Sequence, residues 1–377
     1  MERILFNRPH TTGAELGYIQ EAIDSGHLSG RGPFGARCTA WLEQRTGSAR
    51  ALLTSSCTSA LEMAALLAGV SEGDEVIMPS FTFVSTANAI ALRGAVPVFV
   101  DIRPDTLNMD ERLVEEAITP RTKAILAVHY AGVGCELDPL AELANGGGLT
   151  LIEDAAQGTL AAYRGRALGT VGQMGCLSFH ETKNVHCGEG GALLVNDPEL
   201  VDRAEVVQEK GTDRTRFFRG EVDKYTWVDL GSSFLTSEVN AAFLWAQLER
   251  ADEITQRRLA IWAQYHERFA QLEQRGVARR PAAPAHTAHN AHMYYLLLED
   301  RRARDRLIAG LSEAGVHAVF HYVPLHSSPA GRALGRAAGP MPVTDDAGDR
   351  LVRLPLWPDM TDEQVERVAR AVLELLS

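Results

Sequence analysis

A lysine and an aspartate stand where they could hold and activate a carbonyl compound. Lys183 ends the segment 178–183 (SFHETK), and a glycine-rich run, 188–191 (GEGG), follows it closely. Asp154 closes an apolar run further upstream. A lysine amine bonds covalently to an aldehyde only when it is deprotonated and fixed in a pocket. Although a lone lysine is usually solvated, this pattern predicts a lysine that holds an aldehyde cofactor.

A hydroxyl-rich segment, 54–60 (TSSCTSA), lies between a predicted strand and a predicted helix. Free backbone N–H groups and the positive dipole end at a helix N-terminus suit a phosphate. We therefore predict that Ser56, Cys57 and Thr58 bind a phosphate, and Ser178 can add a further hydroxyl. The alternative is an ordinary Ser/Thr helix cap, which is the better interpretation of this segment taken alone.

Asp154 belongs to the segment 151–157 (LIEDAAQ), where an amide follows the carboxylate by three residues. A buried aspartate without a partner is costly, so it should face a cation. A protonated pyridine nitrogen is such a cation, and this bond contributes roughly 1.5–3 kcal/mol. Gln157 is then placed for the ring hydroxyl. Because the chain supplies a lysine, a ring carboxylate and a phosphate site, pyridoxal phosphate (PLP) is the predicted cofactor. A carboxylate that caps the next turn is the alternative.

Phe83 follows another strand end and is a candidate for stacking on a flat ring, whereas an aromatic residue there is otherwise core. The histidines His317, His321 and His326 suggest a metal site, but no carboxylate ligand stands at a matching spacing. No metal is therefore predicted. We instead predict substrate hydrogen bonds from His321, Tyr322 and His326, with Ser29 as a further substrate contact.

The pair His186 and Cys187, beside Lys183, offers a different chemistry. An imidazole next to a thiol can form a thiolate nucleophile. No third residue that would orient such a pair is evident in the sequence. We therefore prefer the lysine as the reactive group.

The elements that must position these residues form an alternating pattern between about residues 50 and 200. Apolar runs rich in β-branched residues alternate with helix-like segments, which predicts crossover units and a mainly parallel sheet covered by helices. Open α/β sheets bind ligands at the carboxyl ends of their strands, where most of the candidate residues lie. The runs are 51–54, 75–79, 96–102, 124–130, 150–154, 174–179 and 191–195.

A second, smaller unit is predicted after this region. Residues 235–273 have the apolar spacing of one long helix, and a Pro/Ala-rich stretch at 280–291 then interrupts regular structure. The remainder predicts a small α+β domain: a strand at 293–298, a helix near 302–314, a strand at 317–323, a loop through residue 342, and a final helix from about 361. The predicted domains are therefore 1–250, which binds the cofactor, and 251–377.

Composition and charge exclude several classes of protein. The 377 residues are 45% hydrophobic and 23% charged, which is typical of a globular protein of about two domains. A formal net charge of -12 gives no attraction for nucleic acid or an anionic membrane. No apolar stretch approaches the roughly 20 residues of a spanning helix, and no signal-peptide segment is evident. We expect a cytoplasmic protein whose five cysteines are reduced and mostly buried.

The motifs together resemble one family. The residues Ser56 to Thr58, Asp154 with Gln157, Ser178 with Lys183, and the run 188–191 have the order and spacing of the DegT/StrS-type nucleotide-sugar aminotransferases. That family is PLP-dependent and has the fold-type I (aspartate aminotransferase-like) architecture. The resemblance covers nearly the whole chain. The stretches 74–88, 179–184 and 223–227 are similar to the branch of dTDP-4-amino-4,6-dideoxygalactose transaminases.

The resemblance implies a role for each motif. Lys183 would bind PLP covalently and transfer the proton, Asp154 would bind the pyridine nitrogen, and Gln157 would bind the ring hydroxyl. Phe83 would stack on the ring. The phosphate would be bound by Cys57, Thr58 and Ser178. Cys57 stands where the family usually has glycine. Ser233 stands where members often carry an asparagine that reaches the phosphate of the neighbouring subunit, which implies a homodimer with shared active sites.

The implied reaction transfers the amino group of L-glutamate to C4 of dTDP-4-dehydro-6-deoxy-D-glucose. The product is a galacto- or gluco-configured dTDP-4-amino-4,6-dideoxyhexose, for surface polysaccharide or for secondary-metabolite glycosylation. Two alternatives stay open: a 3-aminotransferase acting on a 3-keto nucleotide sugar, and a non-enzymatic regulator built on a PLP fold. A PLP-dependent sugar dehydratase is disfavoured, because such enzymes typically replace the lysine with histidine.

Overall fold

The central sheet of the protein is built from short apolar runs that are buried on both faces. The structure is a computed structural model that describes residues 2–377. Its strands are β1 Arg50–Thr54, β2 Glu75–Pro79, β3 Val96–Val100, β4 Thr122–Val128, β5 Thr150–Asp154, β6 Ala162–Tyr163, β7 Arg166–Ala167, β8 Met174–Ser178, β9 Gly191–Val195, β10 Thr287–Ala288, β11 Tyr294–Leu297, β12 Val319–Phe320, β13 Arg336–Ala337 and β14 Leu351–Leu354.

Eight of these strands form one mainly parallel sheet in the order β1-β9-β8-β5-β4-β2-β3-β13. Strand β9 is antiparallel to both of its neighbours, β1 and β8. All other neighbouring pairs in this sheet, from β8 through β5, β4, β2 and β3 to β13, are parallel. Two smaller sheets have the orders β10-β6-β7 and β11-β14-β12. The predicted α/β fold with a mainly parallel central sheet is therefore confirmed.

Helices cover both faces of the central sheet and also surround the smaller sheet near the C-terminus. The helices are α1 Glu15–Asp24, α2 Pro33–Thr46, α3 Cys57–Leu67, α4 Val84–Ala91, α5 Val114–Ala117, α6 Leu137–Gly147, α7 Val201–Gln208, α8 Arg214–Phe218, α9 Glu238–Glu249, α10 Ala251–Arg268, α11 Ala270–Gln274, α12 Arg301–Glu313, α13 Pro329–Leu334, α14 Pro342–Arg350 and α15 Asp362–Leu375.

Two hydrophobic cores lie on opposite faces of the central sheet. Successive side chains of a strand point to opposite faces, so each buried strand serves both cores. On β5, Leu151 packs into the core beneath α2 and α9, whereas Ile152 packs into the core beneath α3 and α4. This double burial explains why the strands are continuous apolar runs instead of alternating ones.

Polar residues follow the carboxyl ends of several strands in the central sheet. Asp154 ends β5, Ser178 ends β8, and Ser80 follows β2. Parallel pairing aligns these ends: Asp154 lies opposite Val128 of β4 and Cys176 of β8. The chemistry predicted from the sequence is thereby gathered along one edge of the sheet.

The C-terminal part of the chain forms its own core around the sheet β11-β14-β12. Side chains of α10, α12 and α15 pack against this sheet, and so does Ile4 from the start of the chain. The predicted domain boundary at residue 250 falls between α9 and α10. In the opposite direction, β13 leaves this region and pairs with β3 at the edge of the central sheet.

The single helix predicted for 235–273 is wrong, because the structure divides it into α9, α10 and α11. Arg250, between the first two, has φ −112° and ψ 10°, outside the helical region. The break follows from different packing partners. Helix α9 packs on α1 and α2, whereas α10 packs on α15.

Two other elements near the C-terminus also differ from prediction. The predicted strand 317–323 is only the two residues of β12, because the chain then turns away from the sheet. The segment before residue 342, predicted to be a loop, contains α13 and β13. The strand β13 forms through pairing with β3, a contact that local sequence does not reveal.

The cysteine prediction is confirmed, since Cys38, Cys57, Cys135, Cys176 and Cys187 are all buried free thiols. Residues 2–377 include no cluster of His, Cys, Asp and Glu side chains that would hold a metal ion. In the same range, every helix is too short or too polar to cross a membrane.

Glu238 of α9 joins two helices of the first domain. Its buried carboxylate accepts hydrogen bonds from the backbone N–H groups of Gly32 and Gly35 (both 2.9 Å) and of Phe34 (2.8 Å). These groups lie at the N-terminus of α2, where the helix dipole favours a negative charge.

We expect the substitution Glu238→Gln to lower the free energy of unfolding by about 2 kcal/mol, because the neutral amide replaces a charged acceptor of three hydrogen bonds. Thermal denaturation followed by circular dichroism measures the change. The matched control is Glu253→Gln on α10, whose exposed pair with Arg250 should contribute little. Equal melting temperatures for Glu238→Gln and the unsubstituted protein would contradict this role of Glu238.

Candidate functional site

A cleft of about 370 Å³ lies at the carboxyl ends of the central strands and is also lined by the small C-terminal sheet. It collects most of the residues that the sequence singled out. The predicted residues that line it are Ser56, Cys57, Thr58, Phe83, Asp154, Gln157, Ser178, Lys183, His321 and Tyr322.

Lys183 lies in a tight loop after β8. Its backbone N–H donates to the carbonyl of His180 (2.9 Å), and the N–H of Cys187 donates to the carbonyl of Phe179 (2.9 Å), which closes the loop. Burial lowers the pKa of the Lys183 amine, although the nearby Asp154 charge opposes this shift. A larger share of the amine is therefore deprotonated near neutral pH, as a nucleophile requires.

Asp154 is buried at the end of β5 and is held by two hydrogen bonds. The Thr86 hydroxyl donates to Oδ2 (2.8 Å), and the Ala156 N–H donates to Oδ1 (3.1 Å). Burial raises the pKa of Asp154 even though both hydrogen bonds favour the charged form. A protonated pyridine nitrogen would supply the positive charge that stabilises this carboxylate.

Gln157 connects the central sheet to the C-terminal domain. Its Oε1 accepts from the Ala131 N–H (2.7 Å), and its Nε2 donates to the Tyr322 hydroxyl (3.2 Å). A primary amide has a second hydrogen on Nε2, which suits the hydroxyl of a bound ring.

The N-terminus of α3 forms the polar end of the cleft. The Ser56 hydroxyl caps this helix by accepting from the Ser59 N–H (3.1 Å), and the Thr58 hydroxyl donates to Ser85 (2.8 Å). A Cβ atom at Gly191 would lie 2.4 Å from the carbonyl carbon of Ser56, so only glycine lets β9 approach this turn. Helix dipole, N–H groups and hydroxyls together fit a phosphate.

Two side chains shape the cleft without carrying charge. Phe83 is 58% exposed although it is a large aromatic residue, and it offers a flat apolar face at the rim. Cys57 is buried beside the α3 N-terminus, and burial raises the pKa of its thiol well above the usual value. The Cys57 thiol is therefore neutral.

The structure does not bring three of the predicted residues into this cleft. Ser29 and Ser233 are exposed on the surface of the chain. The imidazole of His326 is held outside the cleft, with Nδ1 2.7 Å from the Ser80 hydroxyl and Nε2 3.4 Å from an Asp345 oxygen. These contacts indicate that His326 joins β2 to α14, so the substrate role predicted for it has no support from its position.

The alternative nucleophile is disfavoured by its surroundings. His186 Nε2 lies 2.7 Å from the carbonyl of His10, while the Cys187 thiol donates to the carbonyl of Glu189 (3.4 Å). The two side chains therefore have different partners. Burial raises the pKa of Cys187 to about 12, which keeps the thiol protonated.

Several residues that line or support the cleft were not predicted from the sequence. Thr86 orients Asp154, yet only Phe83 was assigned from its segment. Asn290 donates to the carbonyls of Gln157 and Thr159 (both 2.8 Å) and so fixes the turn that carries Gln157. Arg353 was also missed, although a lone charge within the apolar run 351–354 (LVRL) was a usable signal.

Comparison with known proteins identifies the family. A model of the DegT/DnrJ/EryC1/StrS aminotransferase family matches residues 9–373. The chain belongs to this family. The aminotransferase is therefore PLP-dependent, and its predicted fold-type I architecture is confirmed.

Solved structures support this assignment over the whole length of the aminotransferase. It is 34% identical to the aminotransferase TlmJ from Streptoalloteichus hindustanus, with a TM-score of 0.91 and 99% of each chain covered. It is 32% identical to DesV from S. venezuelae, with a TM-score of 0.90. This match covers 100% of the present chain and 99% of DesV. It is 26% identical to Spr1654 from Streptococcus pneumoniae, described as a sugar aminotransferase and solved in PLP and PMP forms. That match has a TM-score of 0.91 and covers 99% of the present chain and 98% of Spr1654.

The cleft residues fit PLP by their own chemistry. The buried carboxylate of Asp154 suits the ring nitrogen, the lowered pKa of Lys183 suits attachment to the aldehyde, and the turn at Ser56 suits the phosphate. A lysine for the aldehyde, a carboxylate for the ring nitrogen and a cradle for the phosphate are the three features that a PLP site requires.

We expect sodium borohydride to fix the cofactor covalently on Lys183, because the amine of this residue faces the cleft. The purified protein should be yellow and should bleach on treatment, and peptide mapping should locate the label. Lys183→Ala should remove the label, whereas the control Lys123→Ala, at an exposed lysine, should retain it. A label on any other residue would overturn the assignment of the site.

Proposed function

We propose that this sugar aminotransferase transfers the amino group of L-glutamate to C4 of dTDP-4-dehydro-6-deoxy-D-glucose. The amino transfer rests on the convergence of Lys183 and Asp154 in one cleft with polar side chains of the C-terminal domain. The choice of C4 rests on the stretches 74–88, 179–184 and 223–227, which resemble the 4-aminotransferase branch. The first two carry Phe83 and Lys183, which line the cleft.

Each side chain has a defined task in this reaction. PLP supplies an electron-accepting ring and an aldehyde carbon that carries the amino group between substrates. The Lys183 amine is placed to accept the proton from the donor's α-carbon and to return a proton to C4 of the sugar. Asp154 keeps the ring nitrogen protonated, and Phe83 holds the ring from one side. The face from which Lys183 delivers the proton decides between the galacto and gluco products.

His321 and Tyr322 are the side chains that we assign to the sugar. Burial lowers the pKa of His321 well below its usual value, so its imidazole is neutral and can both donate and accept a hydrogen bond. Its Nδ1 lies 3.0 Å from the Tyr130 hydroxyl, which fixes the ring plane. Burial also raises the pKa of Tyr322, so its hydroxyl stays protonated. Neutral groups of this kind suit the hydroxyls of an uncharged sugar ring.

The enzyme is further proposed to act as a homodimer in which each subunit completes the other's site. Several large apolar side chains are exposed at the end of α8 and in the segment that leads to α9: Phe218 is 70%, Tyr225 52% and Trp227 74% exposed. The Phe217 ring lies against the rings of Phe218 and Tyr225, and an exposed apolar patch is typical of an interaction site. Ser29 and Ser233 are exposed in the same chain, so a partner surface is the place where their predicted roles can be fulfilled.

The substitution Trp227→Asp should dissociate the dimer, because it places a charge in the proposed apolar interface. Sedimentation velocity should then show the mass of one subunit. The turnover rate should fall as well, because each subunit would lose the residues that its partner contributes to the site. The control is Leu334→Asp, which places the same charge at an exposed apolar residue on α13, outside the proposed interface. This variant should sediment as a dimer. A dimeric Trp227→Asp protein, or a monomeric unsubstituted protein, would remove this interface from the proposal.

The proposed substrate is tested with two isomeric sugars. Incubated with PLP and L-glutamate, the enzyme should aminate dTDP-4-dehydro-6-deoxyglucose and leave the 3-keto isomer nearly untouched. NMR of the product gives the configuration at C4, and Lys183→Ala is the inactive control. Comparable turnover of both isomers, or a preference for the 3-keto sugar, would show that the enzyme is not a 4-aminotransferase.

A further inference from the structure

His292 lines the cleft beside the residue that follows Lys183 in the chain. It lies just before β11, and its half-buried imidazole forms part of the cleft wall. The ring Nδ1 is 3.1 Å from Oδ1 of Asn184. Because Asn184 is bonded directly to Lys183, this contact holds the imidazole near the lysine. His292 is therefore a further side chain close to the reacting atoms.

The hydrogen bonds around Asn184 decide which nitrogen of His292 carries the proton. Asn184 Nδ2 donates to the carbonyl of Asn290 (2.8 Å), so its Oδ1 is the atom that faces the imidazole. An amide oxygen only accepts, and His292 Nδ1 must therefore be the donor. In a neutral imidazole the other nitrogen, Nε2, then has a free lone pair. Nε2 of His292 is thus a hydrogen-bond acceptor.

The surroundings of His292 keep its imidazole neutral. Burial and the positive charges of Lys183, Arg258 and Arg353 lower the pKa of His292 well below the usual value. The group that the ring contacts, the Asn184 amide, carries no charge that would oppose this shift. Protonation of Nε2 is therefore disfavoured, and its lone pair is available near neutral pH.

The backbone that carries His292 is fixed from several directions. The Arg258 guanidinium donates to the carbonyls of Ala291 (3.1 Å) and His292 (2.6 Å). The His292 N–H donates to Asn290 Oδ1 (3.0 Å). Ala291 is buried with a φ of 50°, a left-handed conformation that is uncommon for a residue other than glycine. Such a conformation persists only where surrounding contacts hold it. The fold therefore holds the His292 ring in place at the cleft wall.

An acceptor at this place selects the groups that come near it. Apart from its reacting amine, an amino-acid donor such as L-glutamate brings carboxylates, which only accept. A sugar hydroxyl is a hydrogen-bond donor. In the proposed substrate, the reacting C4 lies between C3, which has a hydroxyl, and C5, which is bonded to the ring oxygen and the methyl group. The C3 hydroxyl is therefore the one donor on a carbon next to C4.

We propose that His292 Nε2 accepts a hydrogen bond from the C3 hydroxyl of the sugar, and so makes the enzyme selective for keto sugars with a hydroxyl beside the reacting carbon. The inference rests on the proposed function for the position of the carbonyl at C4. A site built to bond a hydroxyl rejects an analogue that lacks it, because the acceptor is then left without a partner.

A cycle of one substitution and one altered sugar tests the proposal. His292→Asn keeps a donor for Asn184, because the amide nitrogen replaces Nδ1, and it removes the acceptor from the cleft. With the aminated form, the single-turnover rate constant for dTDP-4-dehydro-6-deoxyglucose should fall roughly 10-fold, as expected for one neutral hydrogen bond. The rate constant for the 3-deoxy analogue of this sugar should be nearly equal in both proteins. The ratio of the two effects measures the coupling between the residue and the hydroxyl.

Binding gives a second readout that requires no turnover. The sugar nucleotide dTDP-6-deoxyglucose has the C3 hydroxyl and lacks the ketone, so isothermal titration calorimetry measures its affinity without reaction. Its dissociation constant should rise several-fold in His292→Asn, whereas that of its 3-deoxy analogue should stay the same.

The matched control is His289→Asn, the same change in the same segment. His289 Nδ1 accepts from the Ala291 N–H (3.2 Å), and its ring packs against Trp262, away from the residues that line the cleft. An asparagine oxygen can accept from the same N–H. This variant should therefore keep the sugar preference of the unsubstituted enzyme.

The outcomes separate this inference from its rivals. Equal losses with the 3-hydroxy and the 3-deoxy sugar would overturn it, because the ring would then not bond the hydroxyl. A loss in the glutamate half-reaction as large as that in the sugar half-reaction would also overturn it and make His292 a support for Lys183. An enzyme that neither binds nor aminates the dTDP sugar would overturn the proposed function and this inference with it. Amination without the coupling would overturn the inference alone.

Discussion

Two adjacent carboxylates at the end of β5 hold the site together. Glu153 is fully buried and accepts hydrogen bonds from three N–H groups of the segment 169–172, while His129 Nε2 lies 2.9 Å from its Oε2. Asp154 points to the opposite face, into the cleft. One strand end therefore anchors the segment that leads into β8, and hence to Lys183. It also presents to the cleft the carboxylate that we assign to the cofactor ring. Removing one partner of such a buried pair leaves an uncompensated charge.

Burial in the cleft shifts the ionisable groups toward their neutral forms. It lowers the pKa of Lys183 and raises those of Asp154 and Cys57, since a low-dielectric site disfavours any charge. For Lys183 this shift favours the nucleophile. For Asp154 it is opposed by hydrogen bonds from Thr86 and Ala156 and by the nearby charges of Lys183 and His129. The ring nitrogen of PLP, at the position we propose for it, would add a further positive charge beside this carboxylate.

The sequence allowed the fold class and the cofactor to be predicted because both depend on local patterns. Lys183 and Asp154 follow short apolar runs, and such runs end at the binding edge of a parallel sheet. Contacts between distant residues could not be predicted. The contact of His326 with the Ser80 hydroxyl joins residues 246 positions apart, so the sequence does not reveal it. The lone charge of Arg353 in an apolar run is visible in the sequence, but only the folded β14 shows that this side chain lines the cleft.

The division of the site between two parts of the fold follows from the two-step reaction. Lys183, Asp154 and the α3 N-terminus belong to the central sheet and its helices, so the groups assigned to the cofactor share one rigid support. His321 and Tyr322, which we assign to the sugar, lie next to the small C-terminal sheet. A neutral imidazole and a phenol suit the hydroxyls of a sugar ring. The fold thus gives the proposed cofactor groups and the proposed sugar groups separate supports, which meet at the cleft.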